Sequence, residues 1–512
     1  DRDTVESLKH PVAWPHPVRN LELIETHCSW VYLTGEYAYK IKKPVNFGFL
    51  DFSTLKKRLH CCREELRLNR RLARELYLDV VPIAGSPPRV DGDGEPFEYA
   101  VKMRQFDMDC GFDRLAQRGV LLPEHMDAAA SVLAGFHATT ARADEGSGFG
   151  APAEIAAHVL ENFDQIGPRI GEQAPGSRAR FDQVAAWSHS ACETFADAFA
   201  ERLAGGFVRE CHGDLHLRNI VWWHEEVVPF DCIEFNPSLR WIDVMSELAF
   251  LLMDLDDHDL PGLSTRLLNA YLEHTGDFGG LNVLRFYQAY RAMVRAKVES
   301  LRLAQLESPD EEGIAALETY LGLAAGYTRE QAPRLLIAHG LSGSGKTYVS
   351  QQLLEATPLV RLRSDVERKR LFGLAPNETS GSGRDSGIYT RGASERTYNR
   401  LAELANQLLE DGWSVLVDAT FLQRRERDRF RAVAEACGCP FAIMHCEADM
   451  DVQRQRVARR EGDASEANLE VLEMQQQRKE PLARDERDET LAIDTTGAPR
   501  LDELIAFLRG PS

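Results

Sequence analysis

Short runs in which apolar and polar positions alternate (SWVYL, YAYKI, FEYAVKM) open the chain and predict β-strands. From about Pro123 onward the apolar positions recur at helical spacing instead. A small β-rich part followed by a helical part predicts an α+β region built as two lobes. Downstream of Leu335 the signals alternate: LLIAHG, then the helical KTYVSQQLLEA, then LVRLRSD, a helix around Leu401 to Leu409, SVLVDAT and FAIMHCEA. Such alternation predicts an α/β domain with a parallel sheet and crossover helices. Gly322 to Arg334 ends a helical stretch just before an apolar strand, so the expected domains are 1–325 and 334–512.

A chain of 512 residues, 44% of them hydrophobic, holds more than one ordinary core. No run reaches the roughly 18 to 20 apolar residues of a membrane span, and the start lacks a basic flank and an apolar signal region. The expectation is a soluble cytoplasmic protein with no membrane partner. Ten cysteines are too dilute for a disulfide framework, so reduced thiols are expected. The adjacent Cys61 and Cys62, and the step from Cys437 to Cys439, read as packing or turn positions before metal ligands. A net charge of −20 argues against coating nucleic acid or anionic membrane by charge alone. About −17 of it falls in residues 1–333. Such a field would draw an amino-sugar cation, and it equally describes an acidic soluble surface.

The sharpest local signal is Gly340-Leu-Ser342-Gly343-Ser344-Gly345-Lys346-Thr347, a complete GxxxxGK[ST] motif. Its glycines let backbone N–H groups wrap a β-phosphate, Lys346 reaches the β and γ oxygens, and Thr347 offers a hydroxyl to magnesium. An apolar strand precedes it and a helical pattern follows, as the motif requires. Acceptor machinery has to come from elsewhere. Asp365 ends the second strand, where a carboxylate can take a proton from an attacking hydroxyl, and Arg368 follows one helical turn on for a substrate anion. Asp418 ends the third strand, suited to a magnesium-bound water or to orienting the nucleophile. Arg454, Arg456, Arg459 and Arg460 share one helical pattern after the fourth strand, with Arg456 and Arg460 at i, i+4, where they can close over a γ-phosphate.

Across nearly all of 334–512 these features resemble the polynucleotide kinase-like group of small P-loop kinases, and they are similar to zeta-toxin kinases. That resemblance implies Asp365 as general base, Arg368 as ligand of an acceptor phosphate, and Arg456 or Arg460 as a lid arginine. The acceptor it implies is a small molecule, a nucleotide or a nucleic-acid 5′ end. The nucleic-acid version predicts a basic groove formed by Arg361, Arg363 and Arg370.

A second constellation is His212-Gly-Asp214-Leu-His-Leu-Arg-Asn219, followed by Asp231 in VVPFDCIEF. This spacing puts a carboxylate beside the acceptor hydroxyl and an amide and a second carboxylate beside magnesium. Asp214 is the candidate base, Asn219 and Asp231 are candidate metal ligands, and His212 is a brace for the loop. Upstream, the strand YAYKIK offers Lys40 for the α and β phosphates, with Lys42 on the same face as runner-up. The helix CCREELRLNRRLA offers Glu64 or Glu65 to orient the lysine, and Glu65 is preferred. From about Leu21 to Leu306 the chain resembles the aminoglycoside phosphotransferase family, which implies a bilobal protein-kinase-like fold and a small-molecule hydroxyl acceptor. The stretch before Lys40 holds only Gly35 in place of a glycine-rich phosphate loop, which favours small-molecule over protein substrates.

Acceptor signals in the helical half conflict. Arg291, Arg295 and Lys297 favour an anion, and the acidic run Asp254 to Asp259 favours a cation. The expected whole is a tandem kinase using ATP or GTP with magnesium, an α+β kinase-like domain followed by a P-loop domain. In the competing reading, one domain is a nucleotide sensor or partner-binding switch, which would need a phosphate cradle but no acceptor base.

Overall fold

A computed structural model describes residues 2–48, 50–306, 308, 310–376, 378–381, 387–459 and 468–510. Two compact units emerge. The first comprises Asp1–His258 and Phe286–Ala324, and the second Asp259–Arg285 and Ala325–Ser512. Residues 259–285, within the region expected to belong to the first domain, group with the second unit.

The first unit opens on an antiparallel sheet of β1 (Glu22–Glu25), β2 (Ser29–Leu33), β3 (Tyr37–Lys42), β4 (Tyr77–Ala84), β5 (Arg89–Val90) and β6 (Glu98–Arg104), in the order β1-β2-β3-β6-β4-β5. β3 lies inside this sheet, with Lys40 opposite Val31 on one side and Val101 on the other. The helix Leu55–Asn69 starts where the Thr54 side chain accepts the Lys57 N–H at 3.3 Å. Its Cys62 packs in one cluster with Tyr77, Val101, Val221 and Val228. The helical lobe carries two short ladders: β7 (Val208–Glu210) with β10 (Trp241–Asp243), and β8 (Ile220–Trp223) with β9 (Glu226–Pro229). The helix Val244–Asp257 is buried from Val244 through Leu255, as expected of a helix apolar on all sides.

In the second unit, β11 (Leu335–His339), β12 (Val360–Arg363), β13 (Val415–Asp418), β14 (Phe441–Glu447) and β15 (Thr490–Asp494) form a parallel sheet in the order β12-β13-β11-β14-β15. All five residues of β11 are buried, consistent with its near-continuous apolar sequence and central place. Its neighbours β13 and β14 lie on opposite sides, so the loop after β11 opens at the point where the chain changes direction across the sheet, where α/β proteins bind ligands.

Residues 259–285 close the β12 edge of this unit. Asn269, in the helix Pro261–Thr275, accepts the Arg361 N–H at 2.7 Å and donates to the Leu359 carbonyl at 2.9 Å, as a neighbouring strand would. Glu273 pairs with Arg361 at 2.7 Å and Arg363 at 3.2 Å, and Arg370 donates to the carbonyls of Leu272 and Glu273. Trp413 donates to the Leu281 carbonyl at 3.1 Å. The expected basic groove of Arg361, Arg363 and Arg370 is therefore not formed: these arginines hold this segment in place.

Candidate functional site

In the first unit the β8–β9 hairpin assembles the segment around Asn219 and Asp231. Its register sets Ile220 opposite Pro229, so Asn219 and Phe230 follow as neighbours, joined by a 2.9 Å bond from the Phe230 N–H to the Asn219 carbonyl. Asp231, next along, has φ 65°, a left-handed backbone that costs a non-glycine residue free energy and recurs at functional positions. Its N–H donates to the Tyr77 hydroxyl at 3.1 Å, fixing the turn.

Asn219 spends its amide N–H groups on Asp214, on Oδ2 at 3.1 Å and on the carbonyl at 2.9 Å. Its side-chain oxygen is left as an acceptor. Asp214 also lies 3.3 Å from His216. The surrounding protein opposes ionisation of Asp214, but the charges of His216, His212 and Arg295 outweigh it and hold the carboxyl below the usual range. His212 Nδ1 lies 3.3 Å from the Asp214 backbone N and Nε2 lies 2.8 Å from the Phe230 carbonyl oxygen, so the ring clamps the loop at both ends. Gly213 sits at φ 89°, and a Cβ there would lie 2.7 Å from the Leu239 carbonyl oxygen, so only glycine fits.

Both candidate lysines point to Glu65. Lys40 reaches Glu65 at 3.0 Å and Asp231 at 2.5 Å, while Lys42 reaches Glu65 at 2.7 Å and also pairs with Glu234. Their side-chain exposures differ, at 14% and 1%. Burial alone would raise the Glu65 carboxyl, yet the two ammonium groups hold it below the ordinary range. Glu64 turns instead to Arg67 and Arg240. Lys40 therefore links the helix glutamate to Asp231, and Lys42 forms a buried ion pair behind it.

One positioning residue, Glu247, was not identified from sequence, and Arg291, read there as an acceptor signal, braces the loop instead. Glu247 accepts the N–H groups of both His212 and Gly213 at 2.7 Å each, and His137 lies 3.1 Å from its other oxygen. Burial opposes its ionisation, but His137 and the loop amides bring the carboxyl to about 2. Its signal was a lone carboxylate in the apolar run VMSELAFLLM. Arg291 donates to the Gly213 carbonyl at 3.3 Å and to Ser246, bracing the same turn.

In the second unit the phosphate loop runs from β11 into the helix Lys346–Ala356. Gly340 has φ 148°, and a Cβ there would lie 2.6 Å from both the Cys446 carbonyl and Ser344 Oγ. Lys346 Nζ donates to the carbonyls of Gly340 at 3.0 Å and Leu341 at 2.8 Å. Ser344 Oγ is buried without a partner. The Ser342 N–H donates to Gln475 at 2.8 Å, and Thr495 donates to the Ser344 carbonyl at 2.8 Å, two loop contacts that local sequence did not signal.

A cavity of about 1530 Å³ opens from this loop. It is lined by Lys346, Thr347, Asp365, Arg368, Asp418 and Arg456, bringing together the predicted phosphate, acceptor and metal positions. Asp418 is buried at the end of β13, where it accepts the Ser350 hydroxyl at 3.3 Å. Arg368 lies 3.7 Å from Asp365 and 5.0 Å above the Tyr389 ring, with Nε buried and unpartnered. Arg456 donates to the Thr495 carbonyl at 2.6 Å and to Gly343 at 3.4 Å, against the loop wall. Arg460 lies outside the described residues.

Magnesium fits the donors in both units. The side-chain oxygens of Asn219 and Asp231 in one, and the Thr347 hydroxyl with Asp418 in the other, are the hard oxygen ligands that this ion takes. Among the described residues no helix is long and apolar enough to cross a membrane.

Residues 335–482 match the family described as AAA domain. Uncharacterized proteins of Mycobacterium tuberculosis and Mycobacterium bovis are 29% identical over 462 residues, covering 89% of this chain and 90% of theirs. Similar solved structures include a choline/ethanolamine kinase family protein from Mesorhizobium loti, 14% identical over 64% of this chain and 94% of that one, with a TM-score of 0.40. Another is a sugar kinase from a Janibacter species, 22% identical over 35% of this chain and 95% of that one, with a TM-score of 0.28. Residues 335–482 of the second unit thus carry the AAA domain match on a parallel α/β sheet with a P-loop motif, and the first unit is α+β.

Proposed function

We propose that this chain is an ATP-dependent tandem kinase with one phosphoryl-transfer site in each unit. What supports this reading is one recurring set of groups: each unit holds a candidate acceptor carboxylate, Asp214 or Asp365, and a lysine able to hold phosphate, Lys40 or Lys346, with Asp365 and Lys346 lining one cavity. A nucleotide sensor needs no such carboxylate.

In each site an acceptor hydroxyl oxygen forms a bond to the γ-phosphorus, the bond from that phosphorus to the β–γ bridging oxygen breaks, and ADP leaves. The hydroxyl proton passes to Asp214 in the first unit and to Asp365 in the second. An Asp214 held well ionised is a weak base, so its main work is to orient the hydroxyl before the proton moves late in the step. Lys40, steadied by Glu65, and Lys346 neutralise phosphate oxygens. Magnesium, when bound, supplies positive charge to the β and γ oxygens. Asn219 and Asp231 would hold it in the first unit, and Thr347 and Asp418 in the second.

The acceptor of the first unit is a small molecule. In the second unit Arg368 reaches toward an anionic group on a small-molecule or nucleotide acceptor, since a base flanked by an unsatisfied guanidinium suits such a ligand. The catalytic units are 1–258 with 286–324, and 325–512 with 259–285 serving as its scaffold.

Full-length chain incubated with γ-labelled ATP and a metabolite panel tests this. Asp214→Asn should remove one set of labelled products and Asp365→Asn another. Label that survives unchanged in the double variant would refute the proposal.

A further inference from the structure

We infer that Arg295 anchors the acceptor in the first unit, and that this site takes hydroxyl compounds carrying an anionic group, carboxylate or phosphate. The inference deepens the kinase reading of that unit and rests on it.

The helix Leu281–Leu303 carries Arg291, whose contacts to Gly213 and Ser246 fasten it beside the Asp214 turn. Arg295 lies one turn on, on the same face of the helix. Arg291 is fully engaged, but Arg295 is not. Its guanidinium donates to the Tyr320 hydroxyl at 3.2 Å and sits 5.5 Å from that ring, and its Nε is buried with no acceptor. Among the described residues it has no ion pair. Leaving the buried Nε–H of a guanidinium unmet is unfavourable unless a ligand supplies an oxygen.

Position and charge agree on what that ligand is. Arg291 touches the Gly213 carbonyl, next to Asp214, and Arg295 follows one turn along the same face, so a group bound to it would present its hydroxyl near the base. Asp254 and Asp257 stand near Arg295 without an ion pair to it: Asp254 commits Oδ2 to the Leu217 N–H at 2.8 Å, and Asp257 turns to the Tyr320 hydroxyl. In a unit so acidic, an anionic acceptor approaching Asp214 and Asp231 needs a fixed positive charge to offset repulsion. Arg295 supplies one, and its planar fork matches a carboxylate or phosphate.

The test uses full-length chain with Lys346→Ala to silence the second site. Labelled ATP is offered with matched acceptors: glycerol, glycerate and glycerol 3-phosphate; ribose and ribose 5-phosphate; sorbitol and gluconate; and the cations choline and kanamycin. Label that depends on Asp214 should enter anionic members in preference to their neutral twins, and the carboxylate and phosphate arms show which group is preferred. Arg295→Gln should raise KM for those members about 10- to 100-fold with kcat changed less than about 3-fold. Arg295→Lys should fall between, and the rise in KM should be smaller for the neutral twins. A purely structural arginine would lower all rates alike. Label confined to neutral or cationic acceptors, or an unchanged KM in Arg295→Gln, overturns the inference and leaves the kinase reading intact. No label above the Asp214→Asn blank in any member overturns that reading, and the inference with it.

Discussion

Lys40 and Lys42 share Glu65, and replacing each with methionine separates a nucleotide ligand from a structural ion pair. Lys42 is 1% exposed and stands between Glu65 and the nearly buried Glu234. Its removal leaves Glu234 buried and unpaired, while Glu65 keeps Lys40. Breaking a buried pair in this way costs about 3–5 kcal/mol. Lys40 differs because its partner Asp231 is 41% exposed and can be solvated by water. Discounted for that screening, its loss costs about 1 kcal/mol. At roughly 2 °C per kcal/mol for a unit of this size, Lys42→Met should lower the melting temperature of the first unit by about 6–10 °C, and Lys40→Met by about 2 °C. The order reverses in activity. With Lys346→Ala silencing the second site, Lys40→Met should cut Asp214-dependent kcat/KM at least about 100-fold, because it removes charge from the phosphates. Lys42→Met, assayed well below its melting temperature, should retain most of the rate. Scanning fluorimetry and initial rates measure both. A stable but inactive Lys42→Met beside an active Lys40→Met would refute the assignment.

Three further outcomes follow from the geometry. Because the folded-state pKa of Asp214 is depressed, its ionised form persists as pH falls and is lost only below the ordinary aspartate range, so first-unit kcat/KM should show no acid limb above about pH 4 from this group; a limb near pH 6 that vanishes in Asp214→Asn would contradict this. Asn269→Ala strips two hydrogen bonds from the β12 edge and should destabilise the second unit by about 1–3 kcal/mol, with faster hydrogen exchange at the Arg361 amide. Gly340→Ala forces a Cβ to within 2.6 Å of the Cys446 carbonyl and should weaken nucleotide binding at the second site by about 10-fold or more, read by calorimetry on the Lys40→Met chain, with the circular dichroism spectrum unchanged.

The parts legible in the sequence are those whose chemistry is local. The phosphate loop needs a strand, glycines and a lysine within one short segment, and β11 delivers them. The His212 to Asn219 spacing likewise predicts one turn, and the β8–β9 register then brings in Asp231. Period-two alternation put Lys40 and Lys42 on one face of β3 but could not rank them, because the distinction lies in Asp231 and Glu234, each about 190 positions away in sequence. Residues 259–285 were assigned by continuity to the helices around them. Their allegiance rests on side chains mimicking a strand edge, as with Asn269, and on Glu273 neutralising two arginines, pairings that leave no periodic trace. For the same reason Arg361, Arg363 and Arg370 looked like a nucleic-acid groove: in sequence a basic cluster shows its charge and hides its partners.

The most direct test of two separate phosphoryl-transfer sites is calorimetric titration of the full chain with the magnesium complex of a non-hydrolysable ATP analogue. The stoichiometry should be about two per chain, falling to about one with either Lys346→Ala or Lys40→Met and to none with both. A stoichiometry of about one that a single one of these substitutions abolishes, with the other silent, would contradict the account.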